Sequence, residues 1–179
     1  MKKQDTLENQ ANYAYLALGS NLGSKINNLE YAKYKLSKIG VKIIKSSSYY
    51  HTKSWPNINF PDFINSVLLI KTDLILKDLF NQIKFIEESL GRKKAPKNYP
   101  RICDIDIIDF NGEIIKNDEL VTPHPRLHLR NFVIYPLKEI EPNWAHPIFN
   151  KKIDSFFQKL DKSSHNEITR LSKSDILNK

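Results

Sequence analysis

Two aspartates stand two positions apart inside a strongly apolar segment. Asp104 and Asp106 belong to ICDIDIIDF (102–110), whose isoleucines predict a β-strand. Alternate side chains of a strand project from the same face, so the two carboxylates would repel each other and lose hydration. Magnesium relieves both effects, because it binds through one or two carboxylates together with substrate phosphates. The pair therefore predicts a magnesium site for phosphate chemistry, and the alternative is a pair of acids on a solvated sheet face.

The arginines are few and close together. The chain carries 28 Lys and Arg against 20 Asp and Glu, a formal net charge of +8, yet only five of the basic residues are Arg and four of these fall between residues 92 and 130. Such a charge favours anionic partners, namely nucleic acid, an acidic membrane surface or a phosphorylated small molecule. Arg92 and Arg101 flank the basic loop GRKKAPKNYPR (91–101), which leads directly into the acidic strand. Guanidinium groups beside metal-binding acids suit transfer of a phosphoryl-type group, and the alternative is a solvated charge run.

A rigid segment with two further arginines follows. In VTPHPRLHLRNF (121–132), His124 stands between two prolines that restrict the backbone, so its imidazole could donate a hydrogen bond to a phosphate or have no role. Arg126 and Arg130 are four residues apart and could share a helix face. A zinc site on His124 and His128 is disfavoured, because the chain lacks a set of cysteine ligands and a third histidine at a suitable spacing.

Two aromatic residues and an amide suit a flat heterocycle. Phe63 and Asn65 lie in PDFIN (61–65), and Phe132 lies far along the chain. Aromatic rings can sandwich a heterocycle while an amide reads its polar edge. The alternative is that both phenylalanines belong to the core.

The elements that must position these residues follow from the pattern of apolar residues, which predicts an α+β domain. The predicted order is β-α-β-β-α-β with C-terminal additions, which is typical of the ferredoxin-like fold, an antiparallel-rich sheet with helices packed on it. Strands are expected over 13–20, 41–52, 63–72 and 102–110, and helices over 26–39, 76–90, part of 124–142 and 153–160.

Local signals add detail to these elements. Ser24 and Asp73 are predicted N-caps of the first two helices. Asn111-Gly112 predicts a hairpin turn with residues 113–115 as the return strand. Asp109 breaks the alternation of its strand and is expected on the outer face or in a turn.

Composition and domain boundaries complete the picture. Hydrophobic residues make up 40% of the 179 residues and charged residues 27%, which is typical of a globular chain. No run of 18 apolar residues predicts a membrane span, no secretory signal is visible, and a lone Cys103 fits a reducing compartment, so the cytoplasm is expected. We expect a flexible tail over 1–11, a single domain over 12–160, and a polar, poorly ordered tail over 161–179.

Five segments in this order resemble one enzyme family. The chain is similar, from about residue 14 to residue 137, to the 6-hydroxymethyl-7,8-dihydropterin pyrophosphokinases of folate biosynthesis. This resemblance implies an ATP-dependent diphosphotransferase that moves the β,γ-diphosphate of ATP to the pterin hydroxymethyl group and releases AMP. The segments are LGSNLG (18–23), SSSYYHT (46–52), PDFIN (61–65), GR…PRICDIDI (91–107) and TPHPRLHLRNFV (122–133).

The resemblance also implies roles for individual residues. It assigns catalysis to Arg92, Arg101 and Asp106, and two Mg²⁺ ions to Asp104 and Asp106. Pterin binding falls to Thr52, Phe63, Asn65 and Phe132, above a turn that contains Gly19 and Asn21. ATP binding falls to Glu87, Lys94, Lys97, His124 and Arg130.

The chain departs from the family pattern in the basic loop. Many members carry Trp-Gly where Asn98-Tyr99 stand here, and Lys94 and Lys97 replace arginines. Phe63 replaces the commoner tyrosine, which keeps stacking but removes a hydroxyl.

The expected partners are the two small-molecule substrates, ATP and hydroxymethyl-dihydropterin, with no nucleic acid and no membrane. A monomer is expected, with possible association with the next folate-pathway enzyme. Two alternative functions remain open at this stage, a ferredoxin-like RNA-binding module and a two-metal nucleotidyl transferase or cyclase.

Overall fold

The computed structural model describes residues 11–55, 57–92, 96, 98–117 and 119–177, the last without its side chain. The prediction of a flexible tail over 1–11 falls almost entirely outside this part of the chain. The predicted ATP-binding residues Lys94 and Lys97 lie outside it as well.

Within the described residues, eight strands and six helices alternate in the predicted order and then continue beyond it. A short 3-10 helix (Leu127–Leu129) precedes the third α-helix. The elements are β1 Asn12–Ser20, α1 Lys25–Lys38, β2 Lys42–Ser46, β3 Tyr50–Thr52, β4 Phe63–Thr72, α2 Leu76–Ser89, β5 Asp104–Phe110, β6 Ile115–Lys116, β7 Val121–Thr122, α3 Asn131–Ile140, α4 Ile153–Phe157, α5 Lys162–Asn166, β8 Ile168–Arg170 and α6 Lys173–Leu177.

The main sheet is antiparallel throughout. Its strand order is β5-β1-β4-β3-β8, and β2 also pairs with β4, ahead of β3. The two central strands, β1 and β4, lie side by side although α1, β2 and β3 separate them in sequence. This order matches the ferredoxin-like arrangement. The predicted α+β class and fold are therefore confirmed. None of the described helices is both long and apolar enough to cross a bilayer.

The two faces of the sheet carry separate cores. Alternation along β1 sends Leu16 and Leu18 to the side covered by α1 and α2, and sends Ala17 to the side covered by α3 and α4. The apolar residues of α2 recur every three or four positions, which keeps that helix pressed on the sheet. The second core is smaller, because α3 is only ten residues long and covers part of its face.

Two local predictions need correction, and a third is confirmed in position. The strand expected over 41–52 divides into β2 and β3, because the Ser47 hydroxyl accepts a hydrogen bond from the Val67 amide (2.9 Å) in place of a regular ladder bond. Helix α2 has Ile75 and not Asp73 at its N-cap. Ser24 does occupy the N-cap of α1, but its side chain makes no capping hydrogen bond.

The segment after β5 turns as predicted but does not return along it. Asn111 and Gly112 have positive φ angles of 53° and 71°, as a tight turn requires. Residue 115 then enters β6, which pairs with β7 and not with β5. The outer edge of β5 is instead contacted by the His124 amide, which donates to the Ile108 carbonyl at 2.8 Å.

Asp109 is buried, not on an outer face. The β1–β5 register shifts between Tyr15 and Leu16, so that Ile108 is an extra residue and Asp109 pairs with Tyr15. The Asp109 carboxylate accepts hydrogen bonds from Trp144 Nε1 and from the Gly112 amide, both at 2.8 Å. Burial raises the pKa of this carboxyl. A bulge of this kind leaves no signal in simple alternation, which explains the failed prediction.

The predicted poorly ordered tail is wrong for residues 161–177. Asp161 caps α5 by accepting a hydrogen bond from the Ser164 amide (2.7 Å), and β8 pairs with β3 as the edge strand of the sheet. Arg170 then donates to the Ser48 hydroxyl (2.8 Å) and to Glu139 of α3 (3.0 Å). The segment is polar in composition, but β8, the hydrogen bond to Ser48 and the ion pair with Glu139 attach it to the domain.

Candidate active site

One row of paired residues crosses the α3-facing side of the sheet. Asp104 of β5 lies opposite Gly19 of β1, Gly19 lies opposite Asn65 of β4, and Asn65 lies opposite Tyr50 of β3. Directly opposed residues of antiparallel strands share a face. The row therefore places a carboxylate, a glycine and an amide side by side, on a part of the sheet that the apolar side chains of α3 do not cover.

Gly19 provides room for the two side chains predicted to bind a heterocycle. A Cβ atom at Gly19 would lie 3.0 Å from Asn65 Oδ1 and 3.5 Å from Phe63 Cδ1. Asn65 Nδ2 donates to Thr52 Oγ1 at 2.8 Å, and both residues are buried. The structure therefore brings Thr52, Phe63 and Asn65 together and fixes the orientation of the amide.

Asp104 lies between two guanidinium groups. Arg92 Nη1 is 2.8 Å from Asp104 Oδ1, and Arg101 Nη1 is 3.0 Å from Asp104 Oδ2. Partial burial acts against the charge of Arg92, but the carboxylates of Asp104 and Glu87 outweigh it and raise the pKa of the guanidinium. Arg92 thus stays cationic at the start of the basic loop, and Arg101 contacts the same carboxylate from the end of that loop.

Asp106 has a different set of neighbours. Arg130 Nη1 is 3.3 Å from Asp106 Oδ2, and His124 Nε2 is 3.9 Å from the same oxygen. His124 Nδ1 accepts a hydrogen bond from the Arg126 amide (3.1 Å), so a neutral ring carries its proton on Nε2, the nitrogen near Asp106. Burial, with the charges of Arg130 and Arg126, lowers the pKa of His124 despite the attraction of Asp106.

Glu87 of α2 contacts both β5 and Arg92 from the interior of the domain. Its side chain is fully buried, and its carboxylate accepts hydrogen bonds from the Ile105 amide (2.8 Å) and Lys84 Nζ (3.0 Å) and forms an ion pair with Arg92. Burial raises the pKa of this carboxyl. The structure therefore places Glu87 where it orients β5 and Arg92, whereas the resemblance assigned it to ATP binding.

Asn21 joins three loops around the site. Its Oδ1 accepts from the Arg101 amide (2.7 Å), its own amide donates to the Arg101 carbonyl (3.2 Å), and its Nδ2 donates to the Pro61 carbonyl (3.1 Å). The Phe60 and Tyr99 rings, with centres 5.5 Å apart, add a contact between the loop that precedes β4 and the loop that precedes β5. Sequence reasoning placed Asn21 in a turn but missed this bridging role, because its partners are 40 and 80 residues away.

Two other predicted groupings are looser than expected. Phe132 is the second residue of α3, and its ring centre lies 5.3 Å from the Arg130 guanidinium carbon. Among the described residues, its ring makes no contact with the Phe63 ring. Arg126 and Arg130 do not share a helix face, because the 3-10 helix separates them and Arg130 is the N-cap of α3.

The donor set has the chemistry expected for a metal that arrives with its substrate. No group of three or more His, Cys, Asp and Glu residues converges on one point in the part of the chain that the structure describes. Two carboxylates on one face remain, Asp104 and Asp106, and each is partly exposed. Mg²⁺ commonly takes one or two carboxylates and completes its shell with water and phosphate oxygens, so these residues fit it.

A cavity of about 240 Å³ opens beside Asp106. It lies between α2, β5 and the segment 119–125. Its polar wall consists of Asp106, His124, Lys84 and Glu119. Phe80 and Leu120 contribute part of its apolar wall. A site with a polar end at the carboxylates and an apolar interior suits a ligand that joins phosphates to a flat base.

Comparison with known proteins shows the family to which this chain belongs. Residues 15–142 match the profile of the family described as 7,8-dihydro-6-hydroxymethylpterin-pyrophosphokinase (HPPK). The chain belongs to this family. The enzyme is a diphosphotransferase that moves the diphosphate of ATP to 6-hydroxymethyl-7,8-dihydropterin in folate biosynthesis, as the resemblance implied.

Individual relatives agree with this assignment. The chain is 43% identical over 142 residues to the 2-amino-4-hydroxy-6-hydroxymethyldihydropteridine pyrophosphokinase of Aquifex aeolicus, covering 79% of this chain and 88% of the relative. It is 36% identical over 160 residues to the folic acid synthesis protein fol1 of Pneumocystis carinii, covering 89% of this chain but only 21% of that longer protein.

A solved structure confirms the fold. A crystal structure of Plasmodium falciparum HPPK-DHPS superposes with a TM-score of 0.72 at 19% identity, covering 92% of this chain and 48% of the other. Together, the family match and these relatives favour the pyrophosphokinase over the RNA-binding and nucleotidyl-transferase alternatives.

Proposed function

We propose that this pyrophosphokinase carries out diphosphate transfer across the row formed by Asp104, Gly19 and Asn65. The single observation that carries the proposal is that paired strands place the carboxylates next to the residues that would hold a flat heterocycle. ATP phosphates then lie over β5 and the pterin lies over β1 and β4, with the reacting groups between them.

Asp104 and Asp106 would hold two Mg²⁺ ions together with the phosphates. Bound there, the metal would neutralise the triphosphate and lower the pKa of the attacking hydroxyl. Each aspartate is ion-paired with arginine in this structure, so the same guanidinium groups can turn to phosphate oxygens when substrate arrives. Arginine suits this exchange because its planar fork matches both carboxylate and phosphate.

The chain's own residues have separate tasks in the transfer. The pterin hydroxyl oxygen forms a bond to the β-phosphorus as the bond from that phosphorus to the leaving AMP oxygen breaks. Arg92 and Arg101 stabilise the charge on the transferring group, and Arg130 and His124 hold the remaining phosphates. We assign the hydroxyl proton to Asp106, the carboxylate with the smaller number of close cations.

The pterin would stack on Phe63 while the Asn65 amide reads its edge. Thr52 fixes that amide through its hydroxyl, and Phe132 would cover the second ring face. The cavity beside Asp106 gives the adenine of ATP a place next to the phosphates. Lys94 and Lys97 add charge to the basic loop in this proposal.

Working state and location form a further part of the proposal. We infer a cytoplasmic location, since the lone Cys103 is a buried free thiol. A monomer, expected from the sequence, is part of the same proposal. The Plasmodium relative combines HPPK with DHPS in one chain. Association with the next folate-pathway enzyme is therefore proposed for this chain too.

Product analysis tests the reaction directly. Protein, magnesium, ATP and hydroxymethyl-dihydropterin are mixed, and nucleotides and pterins are separated. AMP and a pterin diphosphate are expected in equal amounts. Release of pyrophosphate with a nucleotide-linked product would instead indicate a nucleotidyl transferase.

A further inference from the structure

A second cavity lies apart from the candidate active site. It has a volume of about 360 Å³ and opens between the 3-10 helix, α4 and the start of α5. This volume falls in the range of small-molecule sites. It shares no lining residue with the cavity beside Asp106, and all of its lining residues except His128 and Leu129 lie beyond residue 142, where the family match ends.

One side of this second cavity is aromatic. The His128 ring meets the Phe149 ring edge to face, with ring centres 4.9 Å apart and planes at 80°. Phe156 lies 6.0 Å from Phe149 and 5.9 Å from His128. Phe156 is buried, but Phe149 is 45% exposed, so an aromatic surface remains open to an incoming ring. Burial lowers the pKa of His128, which keeps this wall uncharged at neutral pH.

The charged groups of the cavity are mostly positive. Lys151 and Lys159 line it, both are exposed, and neither ammonium forms an ion pair with any residue that the structure describes. Asp161 is the only acid in the lining, and its carboxylate already accepts hydrogen bonds from the Ser164 amide (2.7 Å) and the Ser163 hydroxyl (2.8 Å). Two lysines beside an aromatic wall favour an anion attached to a flat ring.

We propose that this cavity is a binding site for a small planar aromatic anion, such as an aromatic carboxylate. The ring lies against Phe149 and Phe156, and the anionic group lies toward Lys151 and Lys159. The site is separate from diphosphate transfer, so binding needs neither turnover nor pterin.

Calorimetric titration of the full chain tests the proposal with 2-naphthoate as the probe. A non-hydrolysable ATP analogue, magnesium and pterin fill the active site during the titration, so that the probe cannot bind there. Saturable binding at one site is expected, and the neutral 2-naphthamide is expected to bind about fivefold more weakly because it lacks the charge. No saturable binding, or equal affinity for the amide, would overturn the proposal.

Two matched double variants locate the site. Lys151→Gln with Lys159→Gln is expected to weaken 2-naphthoate binding about fivefold. Lys152→Gln with Lys162→Gln removes the same charge from neighbouring exposed positions outside the lining and is expected to leave the affinity unchanged. An equal loss in both double variants, or no loss in the first, would place the binding elsewhere and contradict the assignment.

Discussion

The α3-facing side of the sheet has two halves built on the same strands. In the half that we call the apolar half, Ala17 of β1 and Val67 of β4 are buried beneath α3, and Asp106 of β5 lies opposite Ala17 at its border with the site. Two residues along the same strands, in the polar half, Gly19 and Asn65 stand beside Asp104. The strands continue without a break through both halves, so the backbone is shared. What makes one half a core and the other a catalytic surface is side-chain chemistry and the limited length of α3.

The largest expected effect is on turnover in the polar half. Arg101→Ala removes a guanidinium 3.0 Å from Asp104, and since charge on the transferring group is greatest in the transition state, the turnover number should fall by roughly 10²–10³-fold. Pterin affinity should change little. Steady-state kinetics and pterin titration measure the two quantities.

Arg170→Ala provides the control for Arg101, because it removes a guanidinium from the opposite edge of the sheet. Its turnover number should stay near that of the unmodified enzyme. A near-normal turnover number for Arg101→Ala would remove Arg101 from catalysis.

The second effect concerns the free energy of unfolding and a histidine, His146, that packs against the core beneath α3 and α4. Burial lowers the pKa of His146, which packs against Trp144 and Phe156, to about 4. Between pH 6.5 and 4 the unfolded chain binds a proton at this histidine and the folded chain does not. Stability is therefore fully present above about pH 6.5 and falls as the pH drops, by about 3 kcal/mol for this group.

The test for His146 is a difference between two proteins. Glu87 and Asp109 have raised pKa values and oppose the trend, so the unfolding free energy of His146→Phe is subtracted from that of the unmodified chain at each pH. The difference should decline with acidification between pH 6.5 and 4. A difference independent of pH would show that His146 titrates alike in both states.

The smallest effect comes from two separate substitutions on β1, one that adds a methyl group in the polar half and one that removes a methyl group in the apolar half. Gly19→Ala puts a Cβ 3.0 Å from Asn65 Oδ1, which must shift, so the KM for the pterin should rise about tenfold with the KM for ATP unchanged. The reverse change two residues away, Ala17→Gly, should cost about 0.5–1 kcal/mol of stability and leave both KM values unchanged. Equal effects of both changes on pterin KM would mean that the halves are not functionally distinct.

The parts of this site that could be predicted are those carried by neighbours in sequence. Asp104 and Asp106 share a face because a strand alternates, and Arg101 is close because only two residues separate it from Asp104. The bridging role of Asn21 could not be predicted, since its partners come from loops distant in sequence. Asp109 was misplaced because a bulge interrupts alternation, and β8 was missed because a three-residue edge strand has too few side chains to form a pattern.

Nucleotide titration with and without magnesium tests the central role of the two carboxylates most directly. A non-hydrolysable ATP analogue is titrated into the unmodified chain, the Asp104→Asn/Asp106→Asn double variant, and the control Asp154→Asn, which alters an acid in an ion pair with Lys138 on another surface. Magnesium should tighten binding more than about tenfold in the unmodified chain and the control, but not in the double variant. Equal tightening in all three proteins, with each shown to be folded by thermal melting, would contradict the assignment of the metal to Asp104 and Asp106.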